Sequence, residues 1–83
     1  MRQDLENRLV TFSSGLIKFS NNLKTDWSVK ILSDQILRSG TSCALNYGEA
    51  QYAQSKKDFI SEVSIVLKEL RETHINLKII KET

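Results

Sequence analysis

No proline interrupts these 83 residues, and the three glycines are scattered instead of gathered into a loop. The chain therefore lacks the strongest helix breaker and any glycine-rich cradle for phosphates. A single cysteine, Cys43, excludes an intrachain disulfide framework and fits a reducing, cytoplasmic setting. A single histidine, His74, excludes the multi-histidine clusters that hold metals. No apolar run approaches the ~20 residues needed to cross a bilayer, and no basic-then-apolar signal peptide opens the chain. The expectation is a soluble cytoplasmic protein without a membrane partner. Strand patterning is also missing, since no stretch alternates apolar and polar cleanly for five residues.

Charge is plentiful but nearly balanced. Twelve Lys and Arg stand against ten acids, a net of +2, and the signs are interspersed without a long block. That balance alone does not argue for nucleic acid. The length suits one domain, residues 1–83, and buries a modest fraction of its surface, so an isolated monomer would be marginally stable.

What is present is helical periodicity. Leu5, Leu9, Phe12, Leu16, Phe19 and Leu23 recur at spacings of four and three, a clean apolar seam. Val10 and Ile17 widen it beyond a single contact line. The Asn21-Asn22 and Lys24-Thr25-Asp26 segments break the pattern, with Thr25 or Asp26 as N-cap of the next helix. Trp27 follows, read chiefly as an anchor against the first helix, with stacking on a base as the sharper alternative. Asp4–Arg8, Asp26–Lys30 and Asp34–Arg38 stand at i,i+4 in the favourable order. The second helix is expected to run to about Gln54. Gly48 inside it costs roughly 1 kcal/mol relative to alanine and suggests a close backbone approach. Ser55-Lys56-Lys57-Asp58 is an S-x-x-D box that starts the third helix. That helix carries Phe59, Val63, Val66, Leu70, Thr73, Leu77 and Ile80 at four-three spacing, flanked by Ile60, Leu67 and His74.

The second helix holds the unusual stretch. Val29, Ile36, Cys43, Tyr47 and Ala50 form a core face. Beside it Leu32, Gln35, Ser39, Ser42, Asn46, Glu49 and Ala53 turn from apolar to small and polar. Small residues let another backbone approach, so Ser39, Ser42, Asn46 and Glu49 are candidate helix-crossing or oligomer contacts. A ligand or nucleic-acid surface is the sharper reading of the same stripe. Glu49 is expected to partner Arg38 or a backbone amide on a neighbouring helix. Ser39-Gly40-Thr41-Ser42 is weak helix material and allows a local kink. Cys43, flanked by apolar residues, reads as an inert buried hydrophobe.

No catalytic residues emerge. Cys43 and His74 lie on different helices, without the nucleophile–base adjacency that covalent catalysis needs. The paired acids on the third helix lack the histidines of an E-x-x-H metal site. No cofactor and no metal is implied, and the reading is non-enzymatic.

Arg38-Ser39-Gly40-Thr41-Ser42, then Asn46, Glu49-Ala50, Ser55-Lys56-Lys57-Asp58-Phe59-Ile60, Lys68-Glu69-Leu70 and Glu72-Thr73 stand in an ordered set. This set resembles the signature of the four helix bundle family, also called the 23S rRNA-intervening-sequence proteins. The match runs from about Leu32 to Leu77, with Leu45 where the family often carries a proline. Periodicity and short turns by themselves predict an all-α fold of three long antiparallel helices, up-down-up. The resemblance adds that these are three of a four-helix bundle, and that subunits form a homo-oligomer, typically a pentamer. An apolar groove between the first and third helices is then expected, to be filled by another helix or subunit.

Two functions follow. The first is an oligomeric scaffold that binds RNA or DNA. The resemblance supports it, because the family is encoded within ribosomal RNA gene insertions and is similar to accessory proteins that work beside a reverse transcriptase. Arg38, Lys56 and Lys57 are the candidate phosphate contacts. The second is a protein–protein adaptor with no nucleic-acid role.

Overall fold

The computed structural model describes residues 2–23 and 26–82. They form three helices and, among the described residues, no strand: α1 (Arg2–Asn21), α2 (Trp27–Ala50) and α3 (Lys56–Glu82). Their boundaries follow the capping chemistry. The Asp26 carboxylate accepts from the Val29 amide at 2.9 Å and opens α2. The alternative cap, Thr25, lies outside the described residues. The Ser55 hydroxyl accepts from the Asp58 amide at 3.1 Å and opens α3. At the end of α1, the Asn22 side chain donates to the Lys18 carbonyl at 2.9 Å.

α2 stops at Ala50, four residues before the expected end. The Tyr52 and Ala53 amides donate to the carbonyls of Glu49 (3.0 Å) and Ala50 (3.1 Å), the tighter three-residue reach of a terminating turn. Ser55 needs non-helical backbone to cap α3, and this turn supplies it. Through Ser39–Ser42, by contrast, α2 is continuous. The hydroxyls of Thr41 and Ser42 fold back onto the carbonyls of Leu37 (2.6 Å) and Arg38 (2.7 Å), so they do not compete with the helix from outside it.

α2 is the central element. It packs on α1 and on α3, while no Cα of described α1 residues lies within 8 Å of α3. Both pairings are antiparallel. Along α1–α2, Ser13 meets Gly40 and Glu6 meets Gln51. Along α2–α3, Ser39 meets Thr73 and Cys43 meets Val66. Leu9, Cys43, Tyr47 and Val66 form the core, with Ala44 and Leu70 packed against it. The expected core face of α2 is present: Ile36, Cys43, Tyr47 and Ala50 are buried and Val29 is half-buried.

The close approach occurs at Gly40, not at Gly48. A Cβ on Gly40 would collide with Cδ1 of Leu16, whereas one on Gly48 would meet only Glu6 Oε1 at 3.8 Å. The Ser13 hydroxyl donates to the Gly40 carbonyl across the same crossing, at 3.3 Å.

Trp27 is the clearest departure. It stands 79% exposed and anchors nothing on α1. It is the first residue of α2, and its stripe continues through Ile31, Leu45 and Tyr52, all exposed. These positions recur on the side of α2 opposite Ile36 and Cys43, and Arg38, seven residues from both Ile31 and Leu45 on the same stripe, reaches across to Glu69 and Glu72 of α3.

Candidate nucleic-acid interface

Arg38 projects from the edge of α2 toward α3. Its guanidinium reaches Glu69 at 3.4 Å and Glu72 at 3.2 Å. It pairs with neither Asp34 nor Glu49, the partners the sequence suggested. Asp34 instead takes Lys30 at 3.4 Å. The expected Asp26–Lys30 pair does not form, because Asp26 is used as the helix cap. Only Asp4–Arg8 keeps the anticipated i,i+4 geometry, at 3.4 Å. Arg38 thus already has two carboxylates, which weakens it as a phosphate ligand.

Lys56 and Lys57 stand exposed in the first turn of α3. A helix N-terminus favours negative charge, so two lysines there do nothing for α3 itself and are free to meet an external anion.

The small polar stripe divides. Ser39 is fully buried at the α2–α3 crossing, its hydroxyl 2.6 Å from that of Thr73, which donates on to the Glu69 carbonyl at 2.9 Å. Ser42 and Asn46 are half-buried and Glu49 is exposed. The structure therefore brings Ser39 into the crossing and leaves Glu49 at the surface.

Cys43 is inert for physical reasons. Burial, and secondarily the Glu69 carboxylate, push its thiol up to about 11. At neutral pH it is a thiol that donates weakly to the Ser39 carbonyl at 3.3 Å. Among the described residues no group of His, Cys, Asp or Glu could hold a metal, and no helix is long and apolar enough to cross a membrane.

A second set of cations escapes a reading of the sequence by segments. A cleft of about 410 Å³ runs between α2 and α3, lined by Gln35 and Arg38 on one side and by Lys68, Arg71, Glu72, Ile75 and Asn76 on the other. Lys68 and Arg71 are exposed and form no ion pair among the described residues. The sequence does carry the signal: Lys57, Ser64, Arg71 and Lys78 recur at intervals of seven, and Lys68 falls between them on the same face.

A family model described as "23S rRNA-intervening sequence protein" matches residues 4–83. The chain belongs to that family. A solved structure supports the assignment, described as a protein of unknown function from the S23 ribosomal protein family of Bacteroides thetaiotaomicron VPI-5482. It shares 34% identity and a TM-score of 0.87 over 99% of this chain and 74% of its own. No curated protein matches this family member. The match to the 23S rRNA-intervening sequence proteins extends beyond the motif region around α2, taking in nearly all of α1 and the whole of α3.

Proposed function

We propose that this protein is a non-enzymatic, homo-oligomeric helical scaffold that binds RNA or DNA through its phosphate backbone. The observation that carries the scaffold reading is apolar exposure. Among the described residues thirteen large hydrophobic side chains are exposed, against seven hydrophobic residues in the core. Trp27 and Ile31 at one end of α2, and Leu45 with Tyr52 just past the other, make two exposed apolar stretches of one stripe, parted by Arg38, that ask for a covering surface. Assembly into a ring such as a pentamer would supply one. A four-helix arrangement in which α1, α2 and α3 are three members would cover other faces. It is consistent with the separation of α1 from α3 and with the share of the Bacteroides chain, about a quarter, that this chain does not match.

The nucleic-acid part rests on the family's description by a 23S rRNA intervening sequence, on the net charge of +2, which assembly would multiply, and on unpaired surface cations. A protein–protein adaptor remains the second reading, favoured by the same apolar ridge. Binding to RNA and DNA across a salt series, with solution mass followed in the same buffers, separates the two. Phosphate-driven binding falls steeply with salt. An intact oligomer that binds neither polymer at low salt overturns the nucleic-acid reading and leaves the adaptor.

A further inference from the structure

We propose that the outward face of α3 is a track for the phosphate backbone of a nucleic-acid duplex, centred on Lys68 and Arg71; this rests on the nucleic-acid reading above. The argument begins with two adjacent rows on α3. One row, at spacings of four and three, is Lys57, Ser61, Ser64, Lys68, Arg71, Ile75 and Lys78. Every member is exposed, four are cations and none is an acid. The next row, one residue on, is Asp58, Glu62, Ile65, Glu69, Glu72, Asn76 and Ile79 and holds four acids. The two signs are therefore sorted by face, which a net charge of +2 conceals.

The acidic row is turned toward α2. The Glu69 side chain is only 13% exposed, and Glu69 and Glu72 share the Arg38 guanidinium. Glu62 is half-buried. Three of the four acids are thus paired or half-buried within the fold, Asp58 at the first turn being the exposed exception, while the cations stand in water with no intramolecular ion pair among the described residues. Unpaired cations in one line, on a rigid element, are what a fixed array of phosphates complements.

Geometry selects the kind of polymer. From Lys57 to Lys78 the helix rises about 32 Å at 1.5 Å per residue, close to the ~34 Å of one duplex turn. The row contains no aromatic side chain. A single-strand site uses aromatic platforms on which unpaired bases stack, and nothing on this face provides one. Backbone contact without base readout positions a duplex and is indifferent to its sequence. Midway along the track the α2–α3 cleft opens beside Lys68 and Arg71, where Gln35 and Asn76 add neutral donors and the one acid, Glu72, is paired with Arg38.

The test compares the wild-type protein with Lys68→Gln/Arg71→Gln and with a control, Lys18→Gln/Lys30→Gln, that removes the same charge from α1 and the start of α2. Random-sequence duplex DNA, duplex RNA and single-stranded RNA are titrated from low to moderate salt, with helicity checked by circular dichroism. The expected result is duplex binding by the wild type and the control, with a slope of log K against log salt reduced by about 2 in the α3 variant, roughly one for each phosphate-binding cation removed. The duplex DNA and RNA arms decide which polymer is preferred. Wild-type duplex binding whose slope survives in the folded α3 variant overturns the track and leaves the nucleic-acid reading standing. Preference for the single strand also overturns the track. No binding by the wild type to any of the three overturns both.

Discussion

A methyl group on Gly40 would overlap Leu16, and Leu16 is itself buried beside the same crossing. Alanine is the better helix former by roughly 1 kcal/mol, but overpacking a core typically costs about 1–3 kcal/mol. Gly40→Ala is therefore expected to destabilise the protein, while Gly15→Ala and Gly48→Ala, with nothing closer than 3.8 Å to meet, stabilise it by roughly 0.5–1 kcal/mol each. Chemical denaturation of the three variants checks this; equal gains at all three would mean that Leu16 turns aside freely. The Ser39–Thr73 pair behaves differently. If Ser39 becomes Ala, the Thr73 hydroxyl keeps the Glu69 carbonyl at 2.9 Å. If Thr73 becomes Val, the buried Ser39 hydroxyl keeps only the Ile36 carbonyl at 3.5 Å. Ser39→Ala should cost about 1 kcal/mol and Thr73→Val more, toward ~3 kcal/mol, with the double variant below their sum. Cys43 adds a pH dependence. Its thiol is raised from 9.0 to about 11 on folding, so the native state holds a proton that the unfolded chain releases. That contribution is complete below pH 9 and is lost as pH rises toward 11. Between pH 8.5 and 10.5 the wild type should lose more stability than Cys43→Ala, measured by urea titration at each pH.

At the scale of the elements, the sequence was legible wherever one physical cause acted alone. The S-x-x-D box at Ser55 placed one helix start and the N-cap pair Thr25 or Asp26 narrowed the other to the cap found at Asp26, and the apolar period of α2 picked out the buried face through Ile36, Cys43 and Tyr47. It was less legible where two causes competed for one side chain. Asp26 could pair with Lys30 or cap α2; the cap won, because it satisfies a backbone amide that otherwise has no partner in the first turn. Arg38 could take Asp34 within its own helix or cross to α3, and two carboxylates outweighed one. Trp27 departs from expectation because size suggests an anchor, while its place at the first turn of α2, on the Ile31–Leu45 side, points it to solvent. The cationic row of α3 is hidden when charge is weighed as a total or along the chain, and sorting by face emerges only when residues are read at spacings of four and three. The Arg38 cross-helix pair illustrates how small such gains are. Arg38 is 61% exposed, so its ion pairs contribute about 0–1 kcal/mol. Arg38→Met should leave the melting temperature nearly unchanged, yet free Glu69 and Glu72 beside the α3 track and weaken duplex binding. A binding loss without a stability loss, seen by melting and titration of the same samples, is the expected pattern.

For the whole molecule the question is what covers the ridge of Trp27, Ile31, Leu45 and Tyr52. An 83-residue chain buries too little to be comfortable alone, and fully burying one exposed leucine is worth about 1.5–3 kcal/mol. Exposed apolar positions on the central helix would, once covered, thus add more stability than any single contact inside the chain. The ridge lies on α2 and the cationic row on α3, and the two meet at the cleft that Arg38 shares with Lys68 and Arg71, so subunits that cover the ridge must do so without closing that cleft. Oligomerisation would then multiply phosphate tracks, and two tracks on one duplex bind far more tightly than one through effective concentration. The expectation is a solution mass well above the 9.5 kDa monomer. Leu45→Glu, at a position 70% exposed within the subunit, should lower that mass while secondary structure survives, and should weaken duplex binding by the loss of avidity. Leu67→Glu, at a comparably exposed site on α3, is the comparison: a mass that falls for Leu67→Glu and holds for Leu45→Glu would move the subunit contact from the α2 ridge to the α3 flank. Sedimentation of the wild type as a stable, folded monomer at micromolar concentration would remove the oligomer altogether, and with it the avidity that makes a weak four-cation track useful.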